Sequence, residues 1–183
     1  MTDILLHVAS LIYFFLPAYA ANMSPVLCKN IFKPIATPID RGKTLFGRPV
    51  FGTHKTWRGI VVAALAGTVV FAIQAGLASH SLAQSLAIID YTTMPIYFGT
   101  LLGFGAMLGD LCKSFLKRQV GIKPGHPWYV IDQIDYIVGA VLLTSPIFFP
   151  GWMNLAVLVL VSLVLSIIVN HAAYALKIRS VRW

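Results

Sequence analysis

Five apolar runs, each long enough to cross a lipid bilayer, limit what this 183-residue chain can fold into. A helix rising 1.5 Å per residue needs about 20 apolar residues to span a hydrocarbon core of roughly 30 Å. The runs lie at about residues 4–21, 59–78, 95–112, 131–149 and 153–174. Backbone groups in lipid have no water to bond, and barrel strands would alternate over about ten residues, so runs of this kind are predicted to be helices. Composition agrees: 58% of residues are hydrophobic and 11% charged, with a mean hydropathy of +0.80, against about 25% charged in soluble domains. The expectation is an all-α integral membrane protein, a single transmembrane domain over residues 1–183 with five spans. The first run lacks the leading basic cluster and small-residue cleavage pattern of a secretory signal, so it is expected to be retained, with Pro17 absorbed by packing.

Positive charge orients the spans. Lys29, Lys33, Arg41, Lys43, Arg48, Lys55 and Arg58 fall between the first two runs, and Lys113, Lys117, Arg118 and Lys123 between the third and fourth. Lys177, Arg179 and Arg182 follow the fifth, whereas residues 1–3, 79–94 and 150–152 have no Lys or Arg. The positive-inside rule then puts the N-terminus outside and the C-terminus in the cytoplasm, with residues 22–58, 113–130 and 175–183 on the cytoplasmic side of a cell membrane. The net charge of +8 is therefore confined to one face. Such a face attracts anionic headgroups or nucleotides, or serves only as the orientation signal. Interrupted by spans and lacking a recognition motif, it does not point to nucleic acid. Cys28 and Cys112 fall on the reducing side, at no spacing that suggests a disulfide framework or a zinc site, and Cys112 is expected to pack.

Chemistry concentrates between Gly109 and Asp135, where three of the six acidic residues stand. Asp110, Ser114, Lys117 and Arg118 are spaced i, i+4, i+7 and i+8, one face if the third helix continues past the membrane. Asp132 and Asp135 are neighbours on one face of the next helix, with no cation between them in sequence. Two carboxylates this close repel, and each costs about 2.5–3.5 kcal/mol if carried to the bilayer centre. A divalent cation resolves both problems: with Asp110 they would form an oxygen site for Mg²⁺. Salt bridges to Lys117, Arg118 or Lys123 are the alternative. A second cluster, His54-Lys55-Thr56-Trp57-Arg58-Gly59, leads straight into the second run. It offers either an anion site at a helix N-terminus or an interfacial Trp with snorkelling cations. Metal together with several Lys and Arg suits a polyphosphate substrate. Gly99 with Gly103, and Gly105 with Gly109, form small-xxx-small pairs that allow close helix packing.

The run G109-D110-x-x-x-S114-x-x-K117-R118, followed by K123, G125-H126 and D132-x-x-D135, resembles the signature of the phosphatidate cytidylyltransferase superfamily. With Lys55-Thr56-Trp57-Arg58-Gly59 before the second run and five spans, it is most similar to the short archaeal branch, the CDP-archaeol synthases. The chain departs from the bacterial and eukaryotic pattern at Lys123-Pro124, at Gly125-His126-Pro127-Trp128 and at Asp132-Gln133. The resemblance implies Mg²⁺-dependent transfer of a cytidylyl group from CTP to an isoprenoid ether-lipid phosphate, with membrane lipids around it. It also implies roles: Asp110, Asp132 and Asp135 on metal, Lys117 and Arg118 at the reacting phosphates, and Lys55, Thr56, Arg58, Ser114, Lys123 and His126 in substrate binding. Two other readings compete. A transporter or ion or proton channel also carries intramembrane acids, though no internal repeat supports it. A transferase using a CDP-activated lipid would need a DGxxAR…GxxxD-type run that is absent here.

Overall fold

Helix α4, Tyr97–Gln119, is the axis of the fold because glycines on two of its faces let two other helices reach its backbone. On one face Gly99 and Gly103 meet Ala63 and Gly67 of α2, Trp57–Gly76. A Cβ added to Gly67 would stand 2.9 Å from the Gly103 Cα. On the other face Gly105 and Gly109 meet α5, Ile131–Thr144, where a Cβ on Gly105 would fall 2.7 Å from the Gly139 carbonyl. Small residues are the usual means of helix association in lipid, where burial of apolar surface supplies little drive. Both predicted glycine pairs are therefore used, one for each neighbour.

The computed structural model describes residues 2–123 and 126–177. Pro124 and Gly125 of the motif, and the basic residues Arg179 and Arg182, lie outside the described residues. Helix α1, Thr2–Leu27, continues through Pro17 and Pro25 and packs on α2 and α4. A short helix α3, Ser81–Leu86, lies in the segment joining α2 to α4. Helix α6, Trp152–Ala175, packs against α5 and α1. Only 11% of its apolar window is buried within the protein, so its remaining surface suits lipid.

All five predicted runs are helical, with shifted limits. Helices α1, α2 and α6 are long and apolar enough to cross a membrane by themselves. Helix α4 runs to Gln119, seven residues past the apolar run, which is the continuation that puts its polar residues on one face. Helix α5 has 14 residues, about 21 Å, and ends at Thr144 rather than 149. The fold is mostly helical rather than purely so. Residues 28–56 carry a hairpin, β1 Thr44–Leu45 paired antiparallel with β2 Arg48–Pro49. Phe46 and Gly47 turn it, both with positive φ.

Aromatic side chains fill one end of the bundle. Phe98 packs against Phe71 at 5.7 Å and Phe14 at 6.3 Å between ring centroids, Phe14 meets Phe148 at 5.5 Å, and all but Phe148 are fully buried. Gln74, also buried there, donates to the Tyr13 carbonyl at 2.5 Å. The opposite end, where α4 finishes and α2 and α5 begin, is left hollow.

Candidate active site

That hollow is a cavity of about 740 Å³ lined by α1, α2, α4, α5, α6 and the segment before α2. Helix α4 contributes Asp110, Lys113, Ser114, Lys117 and Arg118, and α5 contributes Asp132 and Tyr136. His54, Lys55 and Thr56 come from the segment ahead of α2. Away from the charges the wall is largely apolar, with Met23, Val26 and Leu27 of α1 facing Leu165 and Val169 of α6.

At the charged end three carboxylates surround one ammonium. Lys113 Nζ lies 2.8 Å from Asp110 Oδ1, 2.8 Å from Asp135 Oδ2 and 3.3 Å from Asp132 Oδ1. Lys117 Nζ is 3.0 Å from both oxygens of Asp132 and donates to the His126 carbonyl at 2.7 Å. Lys55 pairs with Asp110 Oδ2. Three lysines thus balance three aspartates, and the backbone N–H of Trp128 adds a 2.6 Å hydrogen bond to Asp132. Both carboxylate oxygens of Asp135 are buried, and the Lys113 ammonium 2.8 Å from Oδ2 is the cation that holds the group.

Lys113 is the member that sequence reasoning missed. Its signal was present: it stands at i+3 from Asp110, on the same helical face as the i+4 and i+7 positions that were singled out. The aspartate pair on α5 has no cation beside it in sequence because its cation arrives from α4. Of the alternative salt bridges, the one to Lys117 forms. Arg118 turns away to donate to the Ile122 carbonyl at 2.6 Å while still lining the cavity.

The segment before α2 divides between its two readings. Lys55 reaches the site, and Thr56 is the N-cap of α2, accepting from Gly59 N at 3.2 Å. Arg58 instead donates to the Lys29 carbonyl at 2.6 Å and is not on the cavity wall, and Trp57 is 47% exposed as an interfacial ring would be. Lys123 is exposed and lines a separate small hollow with Gly121, Ile122 and His126, whereas His126 borders both. Ser114 is buried on the main cavity wall. Cys112 is exposed rather than packed, because the apolar neighbours of α4 cover its other faces.

Asp40 builds the loop that delivers Lys55. It is buried and accepts from the backbone N–H groups of Gly52 at 2.8 Å, Phe51 at 2.9 Å and Gly42 at 3.0 Å. Burial works to raise this carboxyl, but the backbone donors together outweigh it and hold Asp40 below the usual carboxylate value. Ile39 N donates to the Lys55 carbonyl at 2.9 Å and Trp57 N to the Thr37 carbonyl at 3.1 Å, tying both ends of the loop to the start of α2.

Hard carboxylate oxygens are the donors Mg²⁺ prefers, and here they converge on a point already held by a cation. The donor set therefore fits a divalent ion in kind. Among the described residues, no three acidic, His or Cys groups are drawn close enough to ligate one metal as they stand.

A family model described as CarS-like, CDP-archaeol synthase, matches residues 1–183. The chain belongs to this family. Its relatives include the CDP-archaeol synthases of Halobacterium salinarum, 38% identical over 92% of each chain, and of Methanopyrus kandleri, 38% identical over 94% of this chain and 91% of that one. The Pyrococcus furiosus CDP-archaeol synthase is 35% identical over 93% of this chain and 95% of its own. A solved intramembrane enzyme for archaeal membrane lipids biosynthesis superposes with a TM-score of 0.70 at 25% identity, over 87% of this chain and 91% of that one. Family membership makes the chain a membrane enzyme of archaeal lipid biosynthesis and does not favour the transporter or channel reading.

Proposed function

We propose that the chain transfers a cytidylyl group from CTP to an ether-linked isoprenoid glycerol phosphate, of the 2,3-bis-O-(geranylgeranyl)-glycerol 1-phosphate type, releasing pyrophosphate. The observation that carries this reading is the cavity itself: Asp110, Asp132 and three lysines line one end, with Asp135 held against Lys113, and an apolar wall between α1 and α6 forms the other. A nucleoside triphosphate suits the first and isoprenoid chains the second. With the five runs as spans, the N-terminus outside and the C-terminus in the cytoplasm, this cavity opens towards cytoplasmic nucleotide at the cell membrane.

The acceptor phosphate oxygen is already an anion at neutral pH, so no covalent enzyme intermediate is required. It attacks the α-phosphorus of CTP in line; the new P–O bond forms as the bond to the β-phosphate oxygen breaks, and pyrophosphate leaves. Lys55 and Lys117 neutralise phosphate charge, Arg118 and His126 add contacts at the cavity rim, and Ser114 donates to a phosphate oxygen. Thr56 keeps Lys55 in place by capping α2. Asp110, Asp132 and Asp135 would hold Mg²⁺, which when bound polarises the phosphorus and shields the triphosphate.

The acceptor class is tested with purified protein in detergent, Mg²⁺ and radiolabelled CTP, offered either the isoprenoid ether-lipid phosphate or a diacyl phosphate. Labelled lipid is expected with the ether acceptor at several times the rate with the diacyl one. Equal rates would overturn the acceptor assignment, and no labelled lipid from either would overturn the reaction.

A further inference from the structure

We propose that Lys113 is the resident counter-cation of the carboxylate cluster, a positioning residue whose ammonium keeps the divalent cation's place and gives it up when the metal arrives. The inference rests on the Mg²⁺-dependent reading above and adds to it a residue of this chain.

The geometry is specific to Lys113. Lys55 and Lys117 each pair with one aspartate at the edge of the cluster, Asp110 and Asp132 respectively. Lys113 touches all three, and its side chain is only 12% exposed. The carboxylates come from two helices whose backbones are in contact, since a Cβ on Gly109 would strike the Asp135 carbonyl oxygen. With those backbones fixed, the three acids cannot move apart to relieve repulsion, so a cation must stand between them at all times. A single-charged ammonium does so at 2.8–3.3 Å. Mg²⁺, a smaller ion with twice the charge, would bind the same hard oxygens more strongly. The fit of the ammonium is incomplete as well: both oxygens of Asp135 are buried, and the ammonium stands close to Oδ2 only. A buried carboxylate sharing one ammonium with two others gains most from an ion with two charges and no directional demand. The exchange is physically open, because Lys113 also lines the cavity and its flexible stem has about 740 Å³ beside it.

The consequence is that metal and Lys113 compete for one place, and removing the ammonium should strengthen metal binding even as it weakens the empty cluster. Binding of Mn²⁺ alone, without nucleotide, is measured by the paramagnetic resonance of the free ion for the wild type, Lys113→Met, Lys113→Arg, Asp135→Asn and the double variant Lys113→Met/Asp135→Asn. Lys113→Met is expected to bind Mn²⁺ at least about tenfold more tightly than wild type, since one unit charge next to the site is gone. Lys113→Arg should not. Without metal the Lys113→Met protein should melt lower than wild type, and Mn²⁺ should raise its midpoint more. If Asp135→Asn abolishes binding but Lys113→Met binds no tighter than wild type, the counter-cation role is overturned and the metal site stands. If Asp135→Asn leaves Mn²⁺ binding intact in both the wild type and Lys113→Met backgrounds, the metal site is overturned and the role of Lys113 with it. Should Lys113→Met fail to fold, the wild type still decides: acylation of Lys113 by an amine reagent, followed by mass spectrometry, is expected to rise when Mn²⁺ is added. Unchanged labelling would overturn the exchange.

Discussion

Asp40 shows how much of this site depends on one side chain that never touches it. Its three backbone hydrogen bonds hold the turn through Phe51 and Gly52, and that turn sets the path of the chain to Lys55. Asp40→Ala leaves those donors buried and unpaired, a local cost of about 1–3 kcal/mol for each that finds no water. The same contacts give a pH signature. Because the folded carboxyl titrates below its ordinary value, its stabilisation is fully present above the unfolded value, near pH 4, and is lost as pH falls through the folded value. Hydrogen exchange at the Phe51 and Gly52 amides, corrected for intrinsic rates, is expected to lose protection below about pH 4 in the wild type. In Asp40→Asn, protection should already be low at neutral pH and show no such step. An identical pH profile in the two proteins would contradict this role.

At the scale of elements, the site is made by how closely α4 and α5 approach. Gly109 precedes Asp110 and lies against the backbone of Asp135, so the contact that joins the helices also brings together the first and last carboxylates of the cluster. Gly109→Ala must push α5 away from α4; overpacking of this kind costs about 1–3 kcal/mol. The loss of nucleotide transfer should be larger than that loss of stability implies, because Asp132 and Asp135 move with α5. Gly76→Ala is the control: nothing lies within 4 Å of a Cβ there, and the change should be neutral or stabilising by up to about 1 kcal/mol. Thermal midpoints and initial rates of the two variants, measured side by side, check the contrast; equal effects would contradict it. These glycines also mark what could be read in advance. Their four-residue spacing, the apolar runs and the i, i+3 aspartates are local patterns, and each appears in the fold as expected. Lys113 was not singled out because its partners on α5 lie about twenty residues away in sequence, and only helix packing brings them to it. The limits of α5, the hairpin at residues 44–49 and the positions of Arg58 and Lys123 depend likewise on contacts that no local pattern encodes.

Across the whole molecule, the two ends of the bundle have opposite tasks. Phe14, Phe71 and Phe98 close one end with packed rings, and charge assembles in the hollow at the other, beside an apolar wall shared by α1 and α6. Such a division suits an enzyme that must meet a water-soluble triphosphate and a bilayer-borne phosphate in one place. On the span arrangement proposed above, the charged residues gathered where α4 ends and α5 begins would reach the interface without being carried to the bilayer centre, where each would cost about 2.5–3.5 kcal/mol. The most direct measurement follows each phosphorus of the nucleotide. Purified protein is given Mg²⁺, the isoprenoid ether-lipid phosphate and CTP labelled at either the α- or the γ-phosphorus, in parallel with Asp132→Asn and Asp135→Asn variants shown to be folded. The α-label should pass into the lipid and the γ-label into pyrophosphate, with both transfers reduced by at least about a hundredfold in the two variants. Appearance of the γ-label in the lipid, or near-full activity in both variants, would contradict cytidylyl transfer at this cluster.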